Sequence, residues 1–197
     1  MKVIFLDIDG VMNSELYARK EWSKRWFRFK TYKWWVVSKI KFVFNGFENK
    51  GICLKDFKET PKEKTFEYKF KRLKSQTDPT AWKYLANLVK ETDAKICISS
   101  VWKYHFKDAY DWDRALVLMG LPYGVGIGIT GERRKLRGSE IKEWLDSHPD
   151  VEKYAIIDDD SDMLLEQMSS FFNTDGYCGL SPNICYQIKN HFKNLKL

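Results

Sequence analysis

No apolar run in this sequence approaches the roughly 18 residues that a membrane-spanning helix requires, so a bilayer-crossing segment is not expected. Its four cysteines, Cys53, Cys97, Cys178 and Cys185, form no Cys-x-x-Cys pair and lack the dense, even spacing of a disulfide or zinc framework. Free thiols in a reducing compartment follow from that pattern. Acidic residues arrive by position 7, so the N-terminus does not read as a secretory leader, and no internal repeat is visible. Histidine is scarce, and His105 in "SSVWKYHFKD" stands alone, as packing and surface histidines do. These absences point to a cytoplasmic globular protein without a membrane partner. Its 197 residues suffice for one domain, or for one domain carrying a large insertion.

What is present divides into two chemistries. The formal net charge is +7, which favours anionic partners. Residues 15–77 hold 18 Lys and Arg against 7 Asp and Glu, a local +11, and the remainder carries −4. The same segment contains 15 of the 31 aromatics, among them Trp22, Trp26, Trp34 and Trp35. Outside it, short β-branched runs at Val3 to Leu6, Lys95 to Ile98 and Tyr154 to Ile157 read as buried parallel strands. Helical patterns lie between them. Asp78 followed by Pro79 is an N-cap with proline at the first helical position, and Trp82, Leu85, Leu88 and Val89 share one face beyond it. A second helix is expected to open at Ser139. Alternation of this kind predicts an α/β fold, a three-layer Rossmann-like parallel sheet with ligands at the carboxyl ends of its strands. The basic, aromatic segment interrupts that alternation directly after the first strand. It is expected to be an inserted cap over 15–77, strand-rich at "KIKFVFNGF" and "KTFEYKFKRL", on a core formed by 1–14 and 78–197.

The first strand runs into "DIDG". Asp7 and Asp9 are one residue apart, so in an extended chain their side chains leave on the same face. Two carboxylates that close repel unless a cation neutralises them, which makes magnesium a natural third member. Gly10 permits the sharp exit that follows. An Asp-Gly turn after a strand would have the same sequence, so the rest of the chain must decide. "AKICISS" is a second strand ending in hydroxyls at Ser99 and Ser100, suited to phosphate oxygens. "YAIIDDDSD" is a third, ending in Asp158, Asp159, Asp160 and Asp162, and "GERRKLRGSEIKEWL" places Arg133, Arg134, Lys135 and Arg137 just before a helix.

Acid pair, hydroxyl, cation and further acids, in this order at strand and helix ends, resemble the four motifs of the haloacid dehalogenase (HAD) superfamily of phosphohydrolases. The resemblance covers residues 1–14 and about 78–197. The tail "FFNTDGYCGLSPNICYQIKNHF" is similar to the closing strand and helix of small members acting on nucleotides or nucleic-acid ends. The resemblance implies that Asp7 is the nucleophile of an aspartyl-phosphate route and Asp9 the general acid and base, an acid that the true dehalogenases of this superfamily lack. It implies Mg2+ held by Asp7, the Asp9 main-chain carbonyl and Asp158, with Asp159 or Asp162 completing the shell through water. Ser99 and one cation, Arg137 or else Lys135, would neutralise the phosphoryl oxygens, with Ser100 and Gly10 in the substrate-binding set. Asp160 reads equally as a solvated acid at a helix N-terminus.

The implied activity is a phosphatase for a nucleotide or a terminal phosphate of RNA or DNA. A nucleic-acid-binding protein on a non-catalytic scaffold and a phosphomutase are the alternatives. Interleaved Lys, Arg and Trp in "RKEWSKRWFRFKTYKWW" suit a phosphate backbone with stacked bases, with Arg25, Arg28 and Lys30 as contacts, or equally a small cap with a solvated basic surface. Salt separates the two. Backbone contacts predict that KM for a phosphorylated oligonucleotide rises steeply with salt, affinity falling with a log–log slope of about −0.7 per phosphate neutralised. KM for a mononucleotide should change little, and charge reversal at Arg25, Arg28 and Lys30 should flatten only the first dependence.

Overall fold

The computed structural model describes residues 1–21, 65–131 and 136–193. Arg25, Arg28, Lys30, Arg133, Arg134, Lys135, Cys53 and the stretch "KIKFVFNGF" lie outside the described residues. Five strands form one all-parallel sheet: β1 (Lys2–Leu6), β2 (Lys95–Ile98), β3 (Gly126–Ile129), β4 (Lys153–Asp158) and β5 (Phe171–Asn173), in the spatial order β3-β2-β1-β4-β5. The expected α/β architecture is therefore present.

Side-chain alternation along β1 builds the layers. Ile4 and Leu6 enter a large core that also holds Leu85, Leu88, Trp112, Leu116 and Ile188. Val3 and Phe5 enter a smaller one with Cys97, Ile141, Trp144 and Ile156. Every residue of β1 from Val3 to Leu6 is fully buried. Central strands of a parallel sheet are covered on both faces, and their sequences are continuously apolar for that reason.

Helix α1 (Phe66–Gln76) corrects an expectation. "KTFEYKFKRL" alternates aromatic and charged residues as a strand does, yet it folds as a helix. Its apolar positions Phe66, Phe70 and Leu73 also satisfy helical spacing, none of its residues is β-branched, and the Thr65 hydroxyl accepts the Tyr68 N–H at 3.3 Å as an N-cap. Leu73 is fully buried in the large core, with Phe66 and Phe70 packed against it. Arg114 of α3 (Ala109–Leu118) lies over the Phe66 ring, 4.0 Å from its centroid.

Helix α2 (Pro79–Thr92) opens as the sequence indicates: Asp78 Oδ1 accepts the Thr80 N–H at 2.7 Å, and Trp82, Leu85, Leu88 and Val89 are buried. Helix α4 (Arg137–Asp146) begins two residues before Ser139. Strand β5 and helix α5 (Pro182–Lys193) are the closing pair expected of the tail. Among the described residues no helix is long and apolar enough to cross a membrane, and Cys97, Cys178 and Cys185 are free thiols.

Docking of α1 is testable by stability. Leu73→Ala should cost about 2–5 kcal/mol in urea unfolding, as truncation of a fully buried leucine does. The exposed Tyr68→Ala on the opposite face should change stability by about 0.5 kcal/mol or less.

Candidate active site

Parallel pairing brings the carboxyl ends of β1, β2 and β4 to one edge of the sheet. The Asp7 N–H donates to the Ile157 carbonyl and the Ser99 N–H to the Leu6 carbonyl, both at 3.0 Å, so the strand register continues to the last residue before each loop. The chain then turns at once. The N–H groups of Val11, Met12 and Asn13 all point to the Ile8 carbonyl at 2.8–3.3 Å. Gly10 sits in the left-handed region at φ +68°, where a Cβ would lie 2.0 Å from the Asp159 carboxylate. Only glycine meets both conditions. Asp7 is left buried at the end of the sheet and Asp9 exposed on the turn.

Arg137 reaches into this edge from the first turn of α4. Its Nη1 lies 2.6 Å from Asp7 Oδ1 and 3.1 Å from Asp158 Oδ2. The helix start is held by Asp162, whose Oδ2 accepts the Arg137 N–H at 3.0 Å and whose carbonyl accepts the Gly138 N–H at 3.2 Å. A Cβ on Gly138 would stand 2.5 Å from the Leu164 backbone nitrogen, so this close seat also requires glycine. Asp162 thus caps the helix that carries the cation. Behind it, Lys103 and Glu140 form a buried ion pair at 2.6 Å, with Lys103 Nζ also donating to Thr130 Oγ1 at 3.1 Å and to the Gly131 carbonyl. That pair ties the 3-10 turn Val101–His105, which follows the second strand's hydroxyls, to α4.

The two serines part company. The Ser100 side chain lies near enough to the Asp7 carboxylate to help lower its pKa, and it caps the turn after it, accepting the Trp102 N–H at 3.4 Å. Ser99 is buried, and its hydroxyl has no hydrogen-bond partner among the described residues. Asp9 Oδ1 accepts from Asn13 Nδ2 at 2.6 Å and from Trp102 Nε1 at 3.0 Å, which together anchor that oxygen of the carboxylate. The roles of Asn13 and Trp102 were not legible in the sequence beyond the four-residue spacing of Asp9 and Asn13, because Trp102 is brought to Asp9 from the loop after a different strand.

Three carboxylates converge. Asp7, Asp158 and Asp159 each offer an oxygen within 4.8 Å of the others. Asp159 rests against Gly10 and Gly176, whose lack of side chains makes room for it. Asp160 donates its N–H to Asp158 Oδ1 at 3.0 Å and is itself exposed, so its side chain stands apart. The exposed Asp162 carboxylate and that of Asp9 are likewise not among the three.

One guanidinium cannot balance three acids. Burial raises the Asp7 pKa despite the attraction of Arg137. Burial and then repulsion from Asp7 push Asp158 up to about 7. Burial works against the Arg137 charge as well, yet Asp158 and Asp7 outweigh it and hold the guanidinium protonated. Asp158 Oδ2 is buried with no hydrogen bond among the described residues. A buried carboxylate oxygen that shares one guanidinium with Asp7 and faces two other acids leaves negative charge unbalanced, which is what a hard divalent cation with oxygen ligands offsets, so these residues fit magnesium.

A parallel α/β sheet with Asp-x-Asp-Gly at the end of its central strand, a serine after the next strand, a helix-borne cation and an acid-ended fourth strand defines a HAD-type domain. The family model described as the HAD domain in Swiss Army Knife RNA repair proteins matches residues 3–184, and the chain belongs to that family. No curated protein and no solved structure matches the chain. Membership supports a phosphatase-type function.

The acid cluster makes a pH prediction for protein kept metal-free with EDTA. A folded pKa of about 7 against an ordinary 3.8 for Asp158 means that the native state holds a proton that the unfolded chain has lost between those values. Its stabilising effect is complete below the lower value and is lost as pH rises through the upper one. Asp158→Asn, which carries no charge at any pH, should therefore gain stability relative to wild type as pH is raised from 5 to 8. Denaturant midpoints of the two proteins across that range check this.

Proposed function

We propose that this chain is a magnesium-dependent phosphatase that removes a terminal phosphate from RNA through an aspartyl-phosphate on Asp7. The observation that carries the reading is Asp7 itself. It is a buried carboxylate at the carboxyl end of the central strand, paired with Arg137, with Ser100 nearby, and faced by two further acids. A merely structural aspartate has no use for acids that raise its energy.

In the first displacement an Asp7 oxygen attacks phosphorus and the ester P–O bond breaks. The leaving oxygen takes a proton from Asp9, whose Oδ1 is anchored by Asn13 and Trp102. In the second, Asp9 takes a proton from water, the water oxygen attacks phosphorus, and the acyl phosphate P–O bond breaks to restore Asp7 and release inorganic phosphate. Arg137, already paired with Asp7, and the Ser100 hydroxyl nearby donate to the phosphoryl oxygens as charge redistributes among them. Ser100 takes this role in place of Ser99 because its side chain lies beside the Asp7 carboxylate. Asp7, Asp158 and Asp159 would hold a magnesium ion, which would supply positive charge to offset the repulsion between the carboxylate nucleophile and the phosphoryl oxygens.

The RNA half of the reading rests on the family description and on the +11 of residues 15–77, which we read as the substrate-binding cap. Asp7→Asn keeps the shape of the side chain and removes the nucleophile. It should lower phosphate release by about a thousandfold or more while the fold stays intact by circular dichroism. EDTA should silence the wild type, magnesium should restore it, and calcium should inhibit because its looser coordination shell displaces the nucleophile. Substantial turnover by Asp7→Asn removes the nucleophile assignment; full activity in EDTA removes the metal. Phosphate release from 3′- or 5′-phosphorylated oligoribonucleotides separates a phosphatase from a binding scaffold, and an isomerised sugar phosphate as product would reveal a mutase.

A further inference from the structure

The leaving group of the proposed reaction departs over Asp9, so the residues around Asp9 are the ones that meet whatever is attached to the phosphate. Trp102 is the first of them. Its indole Nε1 donates to Asp9, and the ring is almost wholly buried. Two groups pack on that ring from different elements. His105 meets it edge to face, with centroids 5.1 Å apart. Arg72 of α1 lies over it, its guanidinium carbon 5.5 Å from the centroid. Lys69, one helical turn before Arg72, is close enough that it and Arg72 both depress the His105 pKa, after burial as the main cause, while Asp9 opposes them. The acid of this helix, Glu67, is paired with Arg114 on the neighbouring helix.

A guanidinium lying over an aromatic face keeps its N–H donors in its own plane, directed outward at the edges. Arg72 is exposed, and Lys69 and His105 are half-buried. The cations therefore form a rim on the leaving-group side of Asp9, opposite in function to Arg137, which serves the phosphate being removed. A small neutral leaving group such as a phenol has no use for such a rim. A nucleic-acid end does, because its next phosphodiester follows the terminal nucleoside on that side.

We propose that Arg72 and Lys69, with Trp102 as the platform beneath Arg72, form a binding site for the internucleotide phosphodiester next to the scissile terminal phosphate, and so select oligonucleotide ends over mononucleotides. The site rests on the reading of Asp9 as the leaving-group acid and deepens it. It makes α1 a specificity element that touches substrate as well as the core.

The test uses the full chain, 3′- and 5′-phosphorylated ribodinucleotides with a natural linkage, the same compounds with a neutral methylphosphonate linkage, the matching mononucleotides, and p-nitrophenyl phosphate. A charge-assisted contact to one phosphodiester should give the natural dinucleotide about a tenfold or greater advantage in kcat/KM over its methylphosphonate analogue at low salt. Arg72→Gln with Lys69→Gln should reduce that advantage to about twofold or less, and the change of protein and the change of linkage should not be additive. Equal rates on the two linkages in wild type would overturn the proposal. So would a fall in kcat/KM for p-nitrophenyl phosphate as large as that for the dinucleotide, since Arg72 would then act only by seating Trp102 behind Asp9. Binding of the two dinucleotides to Asp7→Asn, read by tryptophan fluorescence, separates this failure from that of the phosphatase reading. Charge-dependent binding without phosphate release from any ester by wild type removes the enzyme and leaves the rim; equal binding of the two linkages removes the rim.

Discussion

One guanidinium shared between two buried carboxylates is the contact on which the rest of the site depends. Asp7 and Asp158 come from neighbouring parallel strands and face each other where the strands end. Buried like charges at that distance favour protonation of one or both unless a cation intervenes. Arg137 intervenes from outside the sheet, and it can do so because α4 begins where it does. Asp162 fixes the first turn of that helix, Gly138 lets it approach the backbone of Leu164, and the Lys103–Glu140 pair holds it against the turn that follows Ser100. The elements that surround the acid pair are thus organised around keeping a single positive group in reach of both.

The cation is insufficient by design of its surroundings. Asp159 adds a third acid, and Asp158 Oδ2, buried and without a hydrogen bond beyond its ion pair with Arg137, lies among them. Such an arrangement costs stability in the free protein and favours whatever brings positive charge. Asp9 stands outside this cluster. Exposed on the turn, it is oriented by Asn13 from its own loop and by Trp102 from the loop after β2. Since Arg72 lies over Trp102, helix α1 of the basic segment stands one residue away from Asp9.

Much of this was legible in the chain because the relevant chemistry sits in short contiguous motifs. "DIDG", "ICISS" and "IIDDDSD" each couple a β-branched apolar run to polar residues, so the strand and its terminal chemistry are read together. β3 escaped, since "GIGI" has two glycines and reads poorly as a strand. The structure supplies the reason: a Cβ at Gly126 would meet the Asp113 backbone and one at Gly128 the Trp144 indole, so packing demanded glycine where propensity disfavours it. "KTFEYKFKRL" misled for a different reason. Its aromatics satisfy a period of two and helical spacing alike, and tertiary burial of Leu73 decided between them.

By itself the sequence determined the class of fold and the identity of the acids, because hydrophobic periodicity and motif composition are local properties. It could not determine which hydroxyl reaches Asp7, since Ser99 and Ser100 are adjacent and a single residue of register exchanges their directions. Nor could it assign Asp162 to capping α4 instead of joining Asp7, Asp158 and Asp159, or bring Trp102 to Asp9 across 93 positions of chain. Those outcomes depend on where parallel strands end relative to one another and on how closely a helix can sit against a loop. Distances between segments remote in the chain are set only when the core closes, and tertiary structure alone decided them.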